Sequence, residues 1–161
     1  MGLGKVILAI FGILLILIAL VAVDGYLTYK AFDDLSADET SDMVSDPQFE
    51  VSGDDSNIVT MSVLVDFPSA GFIPKGAEIK LIMNFSGNIQ TKTQTVSLGD
   101  SKTLNFNFTM TTADTNTLAT GGSLSVSAVA EITPTIFGYP ISQAMQEVDL
   151  GSHAVDADII T

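Results

Sequence analysis

The chain has 161 residues, enough for one domain with a sizeable core, and it carries 19 Asp and Glu against 6 Lys and Arg, a formal net charge of −13 at pH 7. All of the cationic residues are lysine, and so acidic a surface repels phosphate backbones, which excludes nucleic-acid binding. Because the chain has 0 Cys, disulfides, thiolate metal sites and a lipid-modified cysteine are excluded as well.

The first predicted element is an apolar run over residues 6–23 that contains no charged side chain. As a helix rising about 1.5 Å per residue it would reach roughly 27 Å, close to the hydrocarbon thickness of a bilayer. We therefore predict a transmembrane anchor at 6–23, with residues 1–5 in the cytoplasm. Lys5 precedes the run and acids dominate after it, so the positive-inside rule places the C-terminal domain outside the membrane. A signal peptide cleaved after Ala22 is the competing interpretation.

The apolar side chains that follow the anchor keep a helix-like spacing: Tyr26, Tyr29, Phe32 and Leu35. The helix is therefore predicted to continue to about Ser36, either as a stalk or as a contact for a partner helix. Residues 33–46 are rich in acids and contain no base, which is typical of a flexible linker. Their acids lack the D-x-D-x-D-G spacing of a calcium-binding loop, so the linker interpretation is favoured over a calcium site.

From residue 47 the apolar period changes to two, which predicts β-strands. A short first strand is predicted at 48–51, and strands with one apolar face are predicted at 57–67, 77–86, 102–110 and 123–133. The segment 112–120 breaks the alternation and is predicted to form one or two helical turns, with Thr112 or Asp114 as the N-cap and Gly121-Gly122 at the end. About seven short strands separated by regular turns predict a mainly β, antiparallel sandwich. This domain is expected at 47–150, followed by a C-terminal tail at 151–161.

Two N-x-[ST] sequons are candidate modification sites, one beginning at Asn84 and the other at Asn107. Each Asn precedes a Phe that is predicted to face inward, so each Asn is predicted to lie on an outward strand face. In an exported domain, Asn84 and Asn107 would therefore be candidates for N-glycosylation.

The sequence shows no catalytic constellation. His153, the one histidine, lies in the predicted tail near several acids: Asp149, Asp156 and Asp158. One imidazole makes a poor tetrahedral metal set, so no metal site is assigned. Without a second His, a Cys or a recognisable Ser–base pair, nucleophilic catalysis lacks its usual base. We therefore predict a non-enzymatic protein with no cofactor.

Several segments together resemble a known family. They are the alternating strand 104–110, the short helical segment after it, the glycine-started strand 122–130, the segment 135–141 and the Asp-Phe-Pro step at 66–68. Over about residues 48–150 the chain resembles the LEA type 2 (LEA14-like, water-stress/hypersensitive-response) domain. The resemblance implies a β-sandwich close to immunoglobulin and fibronectin type III domains, with no catalytic residues. It also implies a stress-associated, binding or structural role, and the family has membrane-anchored members.

We expect a membrane-anchored, extracytoplasmic β-sandwich module with a non-catalytic binding, protective or stress-associated role, whose partner through the helix is the lipid bilayer. The alternative is a structural subunit of a cell-surface filament or membrane complex. Strands 104–110 and 124–132 motivate it, because they combine high β-propensity with little charge and would be hazards as open edges. Under that alternative the partner is another protein or a second copy of this chain. A hydrolase is a third interpretation, for which no site is visible.

Overall fold

The computed structural model describes residues 3–35, 39, 42–51, 57–67, 75–99 and 101–156. Its helices and strands run in the order α1 (Leu3–Asp33), β1 (Val44–Val51), β2 (Ile58–Asp66), β3 (Lys75–Phe85), β4 (Asn88–Ser97), β5 (Ser101–Thr109), α2 (Thr112–Ala119), β6 (Ser123–Ile136), β7 (Tyr139–Pro140) and β8 (Gln146–Asp156). A single 3-10 turn, Ser142–Ala144, lies between β7 and β8.

α1 is one continuous helix, and its segment Ile10–Asp33 is long and apolar enough to cross a membrane. Nearly all of the large side chains from Ile10 to Val23 are exposed, so the β domain does not cover this part of the helix. The helix ends at Asp33, slightly before the predicted end near Ser36.

The strands form two antiparallel sheets, which confirms the predicted mainly β class. One sheet has the order β1-β2-β5; the other has the order β4-β3-β6, with both β7 and β8 paired to β6. Because successive side chains of a strand point to opposite faces, each strand with period-two apolar residues buries one face. In β2 the buried set is Val59, Met61, Val63 and Val65. The buried residues of both sheets belong to one hydrophobic core.

The β region begins earlier and ends later than the sequence predicted. β1 starts at Val44, inside the predicted linker, and both Met43 and Val44 are buried. The second half of β1 agrees with the strand predicted at 48–51, and a bulge between Ser45 and Gln48 breaks the period-two pattern of the first half. At the other end, β8 runs to Asp156 through the predicted tail.

The short helical segment is confirmed as α2, but its N-cap is Thr111 and not Thr112 or Asp114. The Thr111 hydroxyl accepts a hydrogen bond from the Asp114 backbone N at 3.2 Å, and Asp114 Oδ2 accepts one from the Thr111 backbone N at 3.1 Å. This reciprocal capping box satisfies two backbone donors at the helix start. At the other end, Gly121 has a φ of +78° and the Gly122 N donates to Thr117 O, as in a Schellman motif.

The pairing register defines two poles of the β domain. At one pole the start of β3 pairs with the end of β6, Lys75 opposite Ile136, and this pole adjoins α1. We call it the helix pole. At the opposite end lie the β3–β4 turn at Ser86-Gly87, α2 and the end of β8, and we call this end the far pole.

Candidate functional site

The end of α1 is joined to the helix pole by a buried ion pair. Nζ of Lys75 lies 2.7 Å from Oδ2 of Asp24, and the two side chains are 2% and 0% exposed, respectively. One helical turn further on, the buried Thr28 donates from its hydroxyl to the Asp24 carbonyl oxygen at 2.9 Å. Removing two charges from water is costly, so a pair this deeply buried indicates that the surrounding contacts hold both side chains in place.

Apolar and polar contacts continue along the same face of the helix. Phe32 is fully buried in the core of the β domain, and Tyr29 and Leu35 pack against that core. A Cβ built on Gly25 would lie 3.4 Å from Cδ1 of Ile136, so the helix and β6 are in close contact there.

Further along, Gln146 Nε2 donates to the Phe32 carbonyl oxygen at 3.1 Å. The last turns of α1 are therefore part of the domain. Both sequence interpretations of this segment, a free stalk and a contact for a partner helix, are wrong for the face that carries Phe32.

A cleft of about 470 Å³ opens at the helix pole between β3, β4, β5 and the β6–β7 turn. Two lysines line it, Lys75 and Lys102, together with hydroxyl-bearing residues that include Thr95, Ser97 and Thr135. The Lys75 ammonium is already buried against Asp24, so the Lys102 ammonium and the hydroxyl groups are what the cleft offers to an anion. Acid–base chemistry would need a group that titrates near neutral pH.

The β6–β7 turn presents two aromatic side chains at the helix pole. Ile136 pairs with Tyr139, and the two residues between them are left-handed, with a φ of 51° at Phe137 and 80° at Gly138. The side chains of Phe137 and Tyr139 are 62% and 78% exposed. Such a turn favours Asn or Gly at both central positions, and a left-handed residue with a side chain costs about 1 kcal/mol.

The β3–β4 turn at the far pole has the same backbone form with a different side chain. Ser86 and Gly87 have φ values of 48° and 99°, and they connect Phe85 to its pairing partner Asn88. The first central position of this turn is thus a small polar residue, Ser86, whereas the same position in the turn at the helix pole is the exposed Phe137.

Both sequon asparagines lie on strands, as predicted. Asn84 is half-buried on β3 and its Oδ1 accepts a hydrogen bond from the Gly87 backbone N at 2.8 Å. Asn107 is exposed on β5, where its Oδ1 accepts one from the Thr60 hydroxyl at 3.0 Å. Their use as glycosylation sites stays a prediction.

His153 lies on β8 and not in a tail. Its Nε2 is 2.6 Å from the Leu150 carbonyl oxygen, and its ring centroid is 5.4 Å from that of Phe49 on β1. Of the acids near it in sequence, Asp158 lies outside the described residues. Within the described part of the chain, no group of three or more His, Asp and Glu residues could hold a metal ion.

The pairing of Asp24 with Lys75 was not predicted from the sequence. An acid directly after an apolar helix is ordinary at a membrane boundary, and a lysine at the start of a strand is ordinary too. The available signal was the small residue Gly25 beside Asp24, since it permits close packing, but nothing local indicates which strand packs there.

No family model matches this chain, and no curated protein matches it. Among solved structures, a crystal structure of a protein from Archaeoglobus fulgidus is similar over 70% of this chain and 92% of that one, at 12% identity and a TM-score of 0.37. The sporulation control protein Spo0M from Bacillus subtilis is similar over 70% of this chain and 46% of that one, at 16% identity and a TM-score of 0.28. Similarities this weak carry no argument about function.

Proposed function

We propose that this chain is a single-pass membrane protein whose β domain is held at the outer surface of the membrane as a non-catalytic binding or protective module. The apolar segment of α1 supports the anchoring, and Lys5 before it supports a cytoplasmic N-terminus. The observation that carries the proposal is the buried pair of Asp24 and Lys75. It joins the domain to the first polar turn after the apolar segment, so the domain lies directly against the bilayer.

We further propose that the two sheets form a sandwich of the immunoglobulin or fibronectin type III kind, as the LEA type 2 resemblance implies. The strand order supports this assignment. Immunoglobulin constant domains place the first, second, fifth and fourth strands in one sheet, and the third, sixth and seventh in the other. This chain likewise has its first, second and fifth strands in one sheet and its third and sixth strands in the other. It differs in that β4 pairs with β3 and not with β5.

The β5 edge of the first sheet supports a single module over a filament subunit. Gln90 on β4 bonds through its side chain to both the N and the O of Thr109 on β5, and Gln94 donates to the Asn105 carbonyl oxygen. These bonds occupy backbone groups of β5 that an added strand would need. Because assembly edge to edge requires unpaired backbone groups, the filament alternative is disfavoured at this edge.

The first test measures the size and mass of the full-length protein in mild detergent, by light scattering and intact mass spectrometry. We expect a monomer or small oligomer built from the uncleaved chain of 16.9 kDa. A long polymer would support the filament subunit, and a chain that lacks residues 1–22 would show that the apolar segment is a signal peptide.

The second test measures topology with single cysteines, since the chain has none of its own. Ser125→Cys lies on an exposed position of β6 near the far pole, and Gly2→Cys serves as the control on the opposite side of the anchor. A membrane-impermeant maleimide should label Ser125→Cys, but not Gly2→Cys, in intact cells. The reverse pattern would contradict the proposed orientation.

A further inference from the structure

We propose that the β6–β7 hairpin is a second membrane contact, in which Phe137 and Tyr139 enter the interfacial region of the bilayer that α1 crosses. The inference rests on the proposed anchoring of α1 and goes beyond it, because it assigns a lipid-binding surface to the β domain itself. The occupant of this surface is the headgroup and upper acyl region of a bilayer.

The contacts of α1 set the level of the hairpin along the helix. A Cβ at Gly25 would lie 3.4 Å from the Ile136 side chain, so the two residues are at the same level, and further along α1 the Phe32 carbonyl accepts a hydrogen bond from the Gln146 side chain, whose residue pairs with Ile132. From Gly25 to Phe32 the helix rises about 10 Å, and from Ile136 back to Ile132 the strand covers about 13 Å. α1 and β6 therefore run side by side in opposite directions.

The turn continues beyond this contact toward the apolar segment. Phe137 and Gly138 follow Ile136 by one and two residues, so they reach about 3–6 Å further along the same direction. Along α1, that distance leads from Gly25 to about Val21, at the end of the apolar run. The aromatic tip is thus level with the place where α1 leaves the hydrocarbon.

The side chains at this level have the chemistry of a membrane interface. Phe137 and Tyr139 are mostly exposed, and Tyr26 of α1 is exposed close to the same level. Aromatic side chains are enriched at the headgroup level because they combine an apolar ring with, in tyrosine, a polar end.

The charge distribution favours the same occupant. Residues 132–146 contain no charged side chain, although the chain as a whole has a net charge of −13. Lys102 lines the cleft with Phe137, so a cation lies behind the aromatic tip. The tip itself is uncharged and has Lys102 beside it, whereas an exposed acid at this pole, Asp66, lies on β2 opposite Ser101 and not on the tip.

The backbone of the hairpin gives an independent argument. Phe137 occupies a left-handed position that disfavours its side chain, and it gains little packing within the domain in return. The matching position at the far pole holds Ser86. Local strain that the fold itself does not require is typical of functional positions, and here the nearest apolar environment is the bilayer.

The absence of tryptophan from the chain makes the test direct, because one introduced Trp is the only indole fluorophore. The full-length variants Phe137→Trp, Ser86→Trp and Ile16→Trp are each reconstituted into phosphatidylcholine vesicles with and without brominated acyl chains. Phe137→Trp reports on the hairpin, Ser86→Trp on the same turn form at the far pole, and Ile16→Trp on the anchor.

We expect brominated lipid to quench Phe137→Trp and Ile16→Trp, and the emission of Phe137→Trp to shift to the blue relative to Ser86→Trp. Tyr139→Trp should behave like Phe137→Trp, and it replaces a side chain that lies outside the core. Quenching of Ile16→Trp without quenching at positions 137 and 139 would overturn the hairpin contact while leaving the anchor intact. Equal quenching at position 86 would overturn it too, because the contact would not be specific to the helix pole. Loss of quenching at all of these positions would overturn the proposed anchoring as well.

Discussion

Replacing Lys75 by methionine tests whether the buried ion pair holds α1 to the β domain. The variant leaves the Asp24 carboxylate without this cation, at a site where both side chains are almost fully excluded from solvent. Removing one partner of a buried pair costs about 3–5 kcal/mol, because water cannot reach the remaining charge. For a domain of this size each kcal/mol lowers Tm by about 4 °C, so we expect a decrease of about 12–20 °C.

Thermal unfolding of the full chain in mild detergent, followed by the far-ultraviolet circular dichroism of the β-strands, measures this change. Lys80→Met is the matched control, since Lys80 pairs with Glu131 at 2.9 Å but the two side chains remain 41% and 22% exposed. A pair in that setting contributes about 0–1 kcal/mol, so its Tm should fall by only a few degrees.

A double variant separates a lost ion pair from lost packing. Asp24→Leu combined with Lys75→Met removes both charges and leaves apolar side chains in the same place, and such replacements are often neutral or stabilising. We therefore expect the double variant to recover most of the Tm lost by Lys75→Met alone. The reasoning would be refuted if Lys75→Met lowered Tm no more than Lys80→Met does.

Three further predictions concern the capping box, the β5 edge and the exposed sequon. Thr111→Ala should lower the free energy of unfolding by about 1 kcal/mol through loss of the α2 cap, whereas Thr112→Ala should not; urea unfolding of both variants measures the difference. Replacing Gln90 and Gln94 together by alanine should free backbone groups of β5 and increase self-association, which light scattering detects; an unchanged mass would count against edge protection. In a glycosylating host, Asn107→Gln should remove one glycan from the intact mass, since that side chain is exposed, and an unaltered mass would show that the sequon is unused.

Period-two patterns gave the β class from sequence because a strand with one buried face must alternate. β2 and β5 show it most clearly, with Phe106 and Phe108 buried between exposed neighbours. The pattern predicted only the second half of β1, residues 48–51, because the bulge after Ser45 and the surrounding acids conceal its first half. The position of the α2 cap was also predicted wrongly. Thr111 and Thr112 have the same side chain, and only the backbone geometry shows which of them is the N-cap.

The helix–domain junction lay beyond sequence reasoning for a different reason. Asp24 and Lys75 are far apart in the sequence, with β1 and β2 between them. The local sequence around either residue does not indicate the other as its partner. The spacing of Tyr29 and Phe32 did predict an apolar face after the anchor. That spacing could not specify that the partner of this face is the chain's own core.

Because the last turns of α1 are packed into the β domain, the helix and the domain are expected to move together as one rigid unit. If α1 crosses the membrane as proposed, a change in its tilt would rotate the domain with it, because the buried contacts from Asp24 to Phe32 hold the helix and the domain together. β6 is 14 residues long and spans about 45 Å, so a tilt of about 10° moves the far pole sideways by about 8 Å. Since bilayer thickness affects helix tilt, bilayers of different thickness would place the far pole of the domain at different lateral positions.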